Sequence, residues 1–288
     1  EIIAFVDREL HACSVESVLL VRSPRLLFKA LTERGFPVAR CDPPAGIRAL
    51  LKPLRSGGGI GIRFHDGKAF DRGRFYTQEF LEGEPTSLVF LVGRIDRWCV
   101  GGSRQLVGAD WLHCSEPFGY CGSICTIPEH RTELGSALGD LGLRGLVGVD
   151  GIECDGVFRI VEVNPRYTAS VEILERASGR KLLREHFEYI THRSCPIDSR
   201  CGLSFTGHPG KAILYAPVDF TFPAIGPWND DYPFASVRRR FADLPHRGQA
   251  IRRGQPVLTF FADGDSPMST EAALRKIAGD LDRLLFGR

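Results

Sequence analysis

Apolar residues recur along the first third of the chain in two different patterns. Short runs at residues 2–6 (IIAFV) and 17–21 (SVLLV) predict two β-strands, and residues 24–34 predict a helix that ends at Gly35. Over residues 47–92, alternating apolar runs are separated by glycine-rich turns. This part predicts the hairpins of an antiparallel sheet, with strands in ALLKPL, IGIRF, FYTQEFL and SLVFLV.

The rest of the chain mixes helices and strands. A helical stretch at 132–143 precedes the predicted strands LVGVDGIE and FRIVEVN, which a tight turn at 154–156 joins. Residues 170–190 have helical spacing with an interruption at 178–179. After them come the run KAILYAPVDF, a proline-rich loop, a tail with further apolar runs and a last helix over 270–285. The pattern as a whole predicts an α+β protein.

Composition and charge narrow the range of functions. The 288 residues are 43% hydrophobic and 25% charged, which is ordinary for a globular protein. The net charge of +2 supplies no large field for nucleic acid or for an anionic membrane, so any anion site has to be local. No apolar run reaches the roughly 20 residues of a membrane helix, and the first residues carry acids where a signal peptide carries bases. We therefore expect a cytoplasmic protein whose nine scattered cysteines are reduced.

The first predicted hairpin strand ends with a lysine, and a run of glycines follows it. Lys52 precedes Pro53, and the sequence SGGGIG follows at residues 56–61. Amides of consecutive glycines can approach phosphate oxygens without obstruction, and a nearby ammonium adds positive charge. The patterns GxxxxGK[ST] and GxGxxG are both absent, so this is neither a Walker A loop nor a dinucleotide fingerprint. Taken alone, the run could equally be a flexible hairpin tip.

Residues 76–84 (YTQEFLEGE) place a strand end next to carboxylates and a glycine. Backbone groups at residues 79–81 could hold an adenine ring, and an acid could accept ribose hydroxyls. The alternative is a solvated acidic turn.

Three oxygen-bearing side chains occupy the two strands that the turn joins. Asp150 ends one apolar strand, and Glu162 and Asn164 share one face of the next because side chains alternate along a strand. Such ligands suit Mg²⁺ held jointly by protein and nucleotide phosphates. Arg166 would share this face if the strand continued past Pro165, and its guanidinium could stabilise phosphate charge. The alternative, an acidic strand pair facing water, fits the apolar neighbours poorly.

In this order, the segments ALLKPLRSGGGIGIRF, FYTQEFLEGEP and LVGVDGIECDGVFRIVEVNPR resemble the ATP-grasp superfamily. The resemblance implies an ATP-grasp fold with two α+β subdomains holding ATP between them, together with Mg²⁺ or Mn²⁺. The residues that it implies for ATP are Lys52, Ser56, Gly57, Gly58, Gly59, Gly61, Glu79, Phe80, Leu81 and Glu84. Those that it implies for the metal are Asp150, Glu162 and Asn164. Lys52 and Arg166 are the implied catalytic residues.

The chain departs from the family pattern at two places. Many members have an Asp-Lys pair at the start of the central helix, where this chain has Pro24-Arg25, so Arg25 or Lys29 would have to replace the phosphate-binding lysine. The N-terminal αβ portion is also short or incomplete. We expect it over residues 1–43 with a linking helix, followed by the small lid subdomain over 44–95 and the large subdomain over 96–288.

The segments GGSRQLVG, EPFGYCGSI and ADLPHRGQAIRRGQPVLTFFA are similar to ligases related to the tyramine:glutamate ligase of methanofuran biosynthesis. This resemblance implies a carboxylate–amine ligase that passes through an acyl phosphate and has a small carboxylate and an amine as substrates. It would join glutamate to tyramine, tyrosine or a related amine in a one-carbon cofactor pathway. Arg104 and Gln105 are then candidates for substrate contact, although a polar strand end explains them equally well. The protein could form a homodimer.

Two alternatives stay open. His113, Cys114, Cys121 and Cys125 could suggest zinc, but their spacing matches no paired Cys-x-x-Cys knuckle. The chain could also bind ATP without turnover, as a regulatory or scaffolding protein, or be an ATP-grasp enzyme that uses a different nucleophile.

Overall fold

Of the three antiparallel sheets in the described part of the chain, one has only two strands, and the two larger ones organise the protein. The computed structural model describes residues 13–127, 132–191, 205–231 and 239–287. The helices are α1 (Val15–Val21), α2 (Pro24–Thr32), α3 (Thr132–Asp140), α4 (Val171–Ser178), α5 (Leu182–Thr191) and α6 (Pro267–Phe286). The strands are β1 (Ala49–Pro53), β2 (Arg63–Phe64), β3 (Phe75–Glu79), β4 (Glu84–Val92), β5 (Arg97–Val107), β6 (Tyr120–Thr126), β7 (Gly145–Cys154), β8 (Val157–Asn164), β9 (Gly210–Tyr215), β10 (Phe220–Thr221), β11 (Phe241–Ala242), β12 (Ala250–Ile251) and β13 (Pro256–Ala262).

The chain passes from one sheet to the other between β3 and β4. The small sheet has the order β2-β1-β3, and the large one has the order β11-β13-β9-β6-β5-β4-β7-β8. Since β4 pairs with β5 and β7, it belongs to the large sheet. The sheets therefore change at residues 80–83, ahead of β4, and not at the boundary at residue 95 that we expected from the run of hairpins.

Alternation of side chains gives the large sheet two different faces. On one face, α1, α2 and α3 cover one end of the sheet and α6 covers the other. On the opposite face, α4 and α5 cover an apolar area that includes Val89, Leu91 and Leu146. The remaining part of that second face is polar, and it carries the site described below. Among the described residues, no helix combines the length and the apolar character that crossing a bilayer requires.

Most predicted elements are confirmed. The predicted helix at 24–34 is α2, and the predicted break at 178–179 separates α4 from α5, with Gly179 in the left-handed region at φ 69°. Residues 2–6, predicted as a strand, lie outside the described residues. The seven cysteines within the described ranges are free thiols.

Two strand predictions are wrong. Residues 17–21 lie in α1, because the Ser14 hydroxyl caps the helix by accepting a hydrogen bond from the Ser17 amide. The VLLV run had suggested a buried strand, yet Leu19 is 63% exposed and only one side of the helix packs inward. The predicted strand at 60–64 is reduced to Arg63–Phe64 because the residues before it form turns.

A two-residue turn fixes the register of β7 and β8. Asp155 and Gly156 both have positive φ, 50° and 75°, as a type I′ hairpin turn requires. Cys154 therefore pairs with Val157, and this register continues as far as Gly151 and Ile160. A β-bulge then shifts the pairing by one residue, so that Asp150 lies directly opposite Glu162.

The helix α2 provides a matched test of the core. Leu31 is completely buried, whereas Leu26 on the same helix is 56% exposed. We expect Leu31→Ala to lower the free energy of unfolding by about 2–5 kcal/mol, because it removes packed methyl groups and leaves a cavity. Leu26→Ala should change it by less than about 0.5 kcal/mol. Urea denaturation of both variants checks this, and equal effects would contradict the described packing of α2.

Candidate active site

Three side chains at the β7–β8 hairpin form the centre of the site. Asp150 and Glu162 are cross-strand partners, and Asn164 pairs with Gly148 on the same face. Asn164 is buried, and its Nδ2 donates a hydrogen bond of 3.0 Å to Asp150 Oδ2. Gln105 Nε2 donates to the other carboxylate oxygen of Asp150, also at 3.0 Å. The structure thus brings together the three side chains that the sequence suggested as metal ligands.

The electrostatics of this centre favour a cation. Burial, together with the negative charge of Glu162, raises the pKa of Asp150 to about 6, although hydrogen bonds from Ser87 and Gln105 and the charge of Lys52 oppose the shift. A divalent cation between the two carboxylates would remove this repulsion. Two carboxylates and an amide oxygen are the donor set that Mg²⁺ prefers, so the residues fit the ion.

Lys52 reaches this centre from the small sheet. Its Nζ donates a hydrogen bond of 3.0 Å to Oε1 of Gln78, whose own Nε2 donates to the carbonyl of Val161 on β8 at 3.3 Å. Burial lowers the pKa of Lys52, and the carboxylates of Glu162 and Asp150 oppose that shift. The ammonium therefore lies within electrostatic range of both proposed metal ligands.

The glycine-rich loop is docked on the segment that leads into β6. The carbonyl of Gly58 accepts a hydrogen bond of 2.9 Å from the Tyr120 amide, and the Gly61 amide donates to Glu116 Oε2 at 3.2 Å. A Cβ on Gly59 would lie 1.7 Å from the carbonyl oxygen of Phe118, so that approach requires glycine. Within the loop, the hydroxyl of Ser56 donates to the carbonyl of Ile60, and the position of Gly57 is open on all sides.

An aromatic cluster joins the loop region to the crossing between the sheets. Phe64, Phe80 and Phe118 meet edge to face, with centroid separations of 5.0–6.3 Å. The guanidinium of Arg48 lies 4.2 Å from the ring centroid of Phe64 and 4.6 Å from that of Phe80. Phe80, suggested as an adenine contact, therefore also holds the two sheets together.

The remaining proposed nucleotide contacts lie along the same crossing. The amides of Glu79 and Phe80 donate to the carbonyls of Arg40 and Arg48, so neither amide is open to an adenine ring. Leu81 follows in the partly exposed connection. Glu84 opens β4 with an exposed side chain, 59% accessible. Leu81 stays a predicted hinge contact, and the Glu84 carboxylate lies 4.0 Å from Arg104 Nε, on the face of the sheet opposite the metal centre.

Alternation along β5 separates two residues that the sequence suggested together. Gln105 donates a hydrogen bond to Asp150. Arg104 points to the opposite face of the sheet, where its Nη2 donates to Glu271 of α6 at 2.5 Å. Arg166 follows β8, and its Nη2 lies 3.4 Å from Asn164 Oδ1. Arg166 and Gln105 therefore border the metal centre, and Arg104 does not.

The two candidates for the missing phosphate lysine are engaged elsewhere. Arg25 Nε donates to Asp42 Oδ2 at 2.6 Å, and Lys29, 73% exposed, lies 3.9 Å from Glu33. His113, part of the zinc alternative, contacts Asp282 at 2.9 Å. Within the described ranges, no group of three or more His, Cys, Asp or Glu side chains is arranged to hold a metal.

Sequence reasoning missed several polar residues around the centre. They are Gln78, Ser87, Glu116, Tyr120, Ser123, Ser170, Glu172 and Lys211. Four of them, Gln78, Ser87, Ser123 and Ser170, are at most 3% exposed. Polar residues at inward positions of apolar strands, as in TSLVFLV and YCGSICT, were the signal that could have identified Ser87 and Ser123. No comparable signal marks Glu116, which lies in a loop.

Comparison with known proteins identifies the family. A family model described as an ATP-grasp domain matches residues 24–170, which is about half of the chain. The chain belongs to this family. No curated protein matches the sequence.

Solved structures with the same fold cover nearly the whole chain. An L-amino acid ligase from Bacillus licheniformis has a TM-score of 0.68 at 15% identity, over 92% of this chain and 72% of its own. A Campylobacter jejuni biotin carboxylase in complex with β-γ-ATP gives 0.68 at 14% identity, over 97% and 70%. The biotin carboxylase domain of Hydrogenobacter thermophilus 2-oxoglutarate carboxylase, solved with MgADP and bicarbonate, gives 0.68 at 14%, over 92% and 67%. They confirm the ATP-grasp fold that the sequence predicted.

The docked loop yields a test that requires no substrate. Gly59→Ala should prevent docking, because the added methyl group would overlap the Phe118 carbonyl. Arg55 and Arg63 flank the loop and are exposed, so trypsin can cleave there once the loop is released. We expect cleavage in this segment to become at least about fivefold faster, since proteolysis follows the population of the open form.

Gly57→Ala is the matched control. A Cβ there meets nothing within 4 Å, so trypsin cleavage should stay within about twofold of the wild-type rate. Equal protection of the Gly59→Ala and wild-type loops would contradict the docked arrangement.

Proposed function

We propose that the chain is an ATP-dependent ligase that joins a carboxylate to an amine through an acyl phosphate. The observation that carries the proposal is the convergence of Lys52, from the small sheet, on the Asp150, Glu162 and Asn164 centre of the large sheet. This arrangement places a cation beside a set of potential metal ligands. Phosphoryl transfer requires mainly such positioning and charge neutralisation.

The residues divide the work of the first step. Lys52 neutralises phosphate charge, and amides of the glycine-rich loop approach the phosphate oxygens from above. Asp150, Glu162 and Asn164 would hold Mg²⁺, which would supply positive charge to neutralise the phosphates. The carboxylate oxygen of the substrate attacks the γ-phosphorus, the bond to the β-phosphate oxygen breaks, and ADP leaves. Arg166, beside Asn164, stabilises the charge on the transferred group.

In the second step, the amine nitrogen attacks the carbonyl carbon of the acyl phosphate. The C–O bond to phosphate breaks, inorganic phosphate leaves, and the amine loses a proton as the amide forms. No nucleophilic side chain of the protein is needed. The docked glycine-rich loop would keep water from the acyl phosphate during this step.

The substrates we propose are glutamate and an amine such as tyramine or tyrosine, as part of a methanofuran-type, one-carbon cofactor pathway. Support comes from the segments around Arg104 and Gln105 and from the C-terminal tail, which resemble ligases of that kind. The fold shared with an L-amino acid ligase is consistent with an amino acid as one substrate. The cytoplasmic location and the homodimer stay predictions.

A second function, ATP binding without turnover, is favoured by one observation. The two candidates for a further phosphate-binding cation, Arg25 and Lys29, contact Asp42 and Glu33 and not the centre. A regulatory protein would require only binding. The complete metal set beside Lys52 is the reason to prefer the ligase.

ADP release tests the proposal. Purified protein with ATP and Mg²⁺ should release ADP only when glutamate and a suitable amine from a panel including tyramine and tyrosine are both present, and mass spectrometry should detect the amide. Release that depends on bicarbonate would instead indicate a carboxylase-type reaction. Tight ATP binding without release under any substrate pair would favour the regulatory function.

Variants that remove one charge each test which residues the ligase reaction requires. Lys52→Met and Glu162→Gln should each lower kcat/KM by at least about 100-fold, because the first removes a positive charge that acts on the phosphates and the second weakens the metal site. The control is Lys68→Met, an exposed lysine in the loop before β3, which should leave kcat/KM within about twofold. Thermal unfolding of all three variants separates loss of activity from loss of folding, and a folded Lys52→Met variant with normal turnover would refute the assignment.

A further inference from the structure

A row of polar side chains extends from the metal centre across the large sheet to β9. Pairing places Ser87 opposite Asp150 and also opposite Ser103. Further along the same face, Ser123 lies opposite Lys211 of β9. The three serines are completely buried. The row therefore links the site of phosphoryl transfer to a lysine that the steps above do not use.

At the far end of this row, Lys211 is paired with a single carboxylate. Its Nζ donates a hydrogen bond of 3.1 Å to Oε2 of Glu172, in the first turn of α4. The side chain of Lys211 is only 10% exposed, whereas that of Glu172 is 37% exposed. A buried ammonium is costly unless it is well paired, and an ammonium has three donors. The pair thus offers both a positive and a negative group, with Glu172 accessible from outside.

The two ends of the row are several strands apart. Four strand spacings of about 4.8 Å separate the backbones of Lys211 and Asp150, or about 19 Å. Gln105 lies between them, and its Nε2 donates a hydrogen bond to Asp150. Tyr120, whose hydroxyl bonds Ser123 at 2.8 Å, lies within electrostatic range of both Asp150 and Glu172. Polar groups on this face therefore continue from Asp150 to Lys211.

We propose that Lys211 and Glu172 bind the zwitterionic head group of an α-amino acid whose side-chain carboxylate is the group that is activated at the metal centre. Lys211 receives the α-carboxylate and Glu172 receives the α-ammonium. This inference rests on the proposed ligase function and names its acid substrate as a dicarboxylic amino acid. The head group is thereby held away from the metal, so that only the side-chain carboxylate reaches the phosphoryl group.

An independent observation supports a ligand at this row. Within the described part of the chain, the buried hydroxyl of Ser103 has no hydrogen-bond partner. A buried polar atom without a partner is costly, and a polar ligand or a water molecule in the row would satisfy it.

Analogues test the proposal on the unaltered protein. The probes are L-glutamate and L-aspartate, and for whichever binds more tightly, the N-acetyl derivative and the α-amide. Calorimetry in the presence of Mg²⁺ and a non-hydrolysable ATP analogue measures each affinity. We expect each blocked head group to bind about 10- to 100-fold more weakly, because one charged hydrogen bond is lost. Equal affinities for the free and blocked forms, or no binding of either amino acid, would overturn the proposal.

Variants then assign each charge to its side chain. Glu172→Gln should reduce the preference for the free amino acid over its N-acetyl form to less than about threefold, and Lys211→Gln should do the same for the preference over the α-amide. The controls are Lys276→Gln and Glu133→Gln, on exposed positions of α6 and α3, which should keep both preferences. Glu172→Gln and Lys211→Gln variants that fold and retain both preferences would show that the pair is only structural.

Failure of this inference is distinguishable from failure of the ligase function. Head-group-dependent binding without ADP release would support the amino acid site and refute the ligase. ADP release with an acid that lacks an amino group, unaffected by Lys211→Gln, would support the ligase and refute the site.

Discussion

The direct pairing of Asp150 with Glu162 across the β7–β8 hairpin is the constraint on which the site depends. Two carboxylates held side by side repel each other, and burial strengthens this, as the raised pKa of Asp150 shows. The type I′ turn at Asp155 and Gly156 sets the register near the tip of the hairpin, and a β-bulge beside Asp150 then shifts it by one residue to impose the contact. Lys52, a compensating cation, comes from the other sheet, so the electrostatic balance of the centre depends on both sheets being in place.

One face of the large sheet combines a stable half and a functional half. Under α4 and α5, Val89, Leu91 and Leu146 are completely buried and supply apolar packing. Further along the same strands, β4 carries Ser87 and β7 carries Asp150 at inward positions. Hydrogen bonds to Ser170, Gln105 and Asn164 satisfy the polar groups of these two side chains. Since both halves share continuous strands, the apolar half holds the polar half in register.

The sequence was sufficient for elements with strong local signals. The α2 helix, the β7–β8 hairpin and the proximity of Asp150, Glu162 and Asn164 followed from periodicity and turn residues, because these depend on neighbours in the chain. Assigning β4 to the large sheet did not follow, since strand pairing is a long-range property and consecutive hairpins look alike locally. The helix α1 was missed because VLLV favours a strand by composition and the Ser14 cap is a weak signal. Lys211 and Glu172 are 39 positions apart, and only tertiary structure brings them together.

The docked glycine-rich loop shows how weak local evidence becomes specific in its structural context. A run of glycines by itself is equally consistent with a flexible tip. Here the Gly61 amide donates to the carboxylate of Glu116, so this backbone already binds an anionic oxygen. Phosphate oxygens are acceptors of the same kind. The fit of Gly59 against the Phe118 carbonyl explains why the loop requires glycine at that position, and the open surroundings of Gly57 show that the requirement does not apply to the whole run.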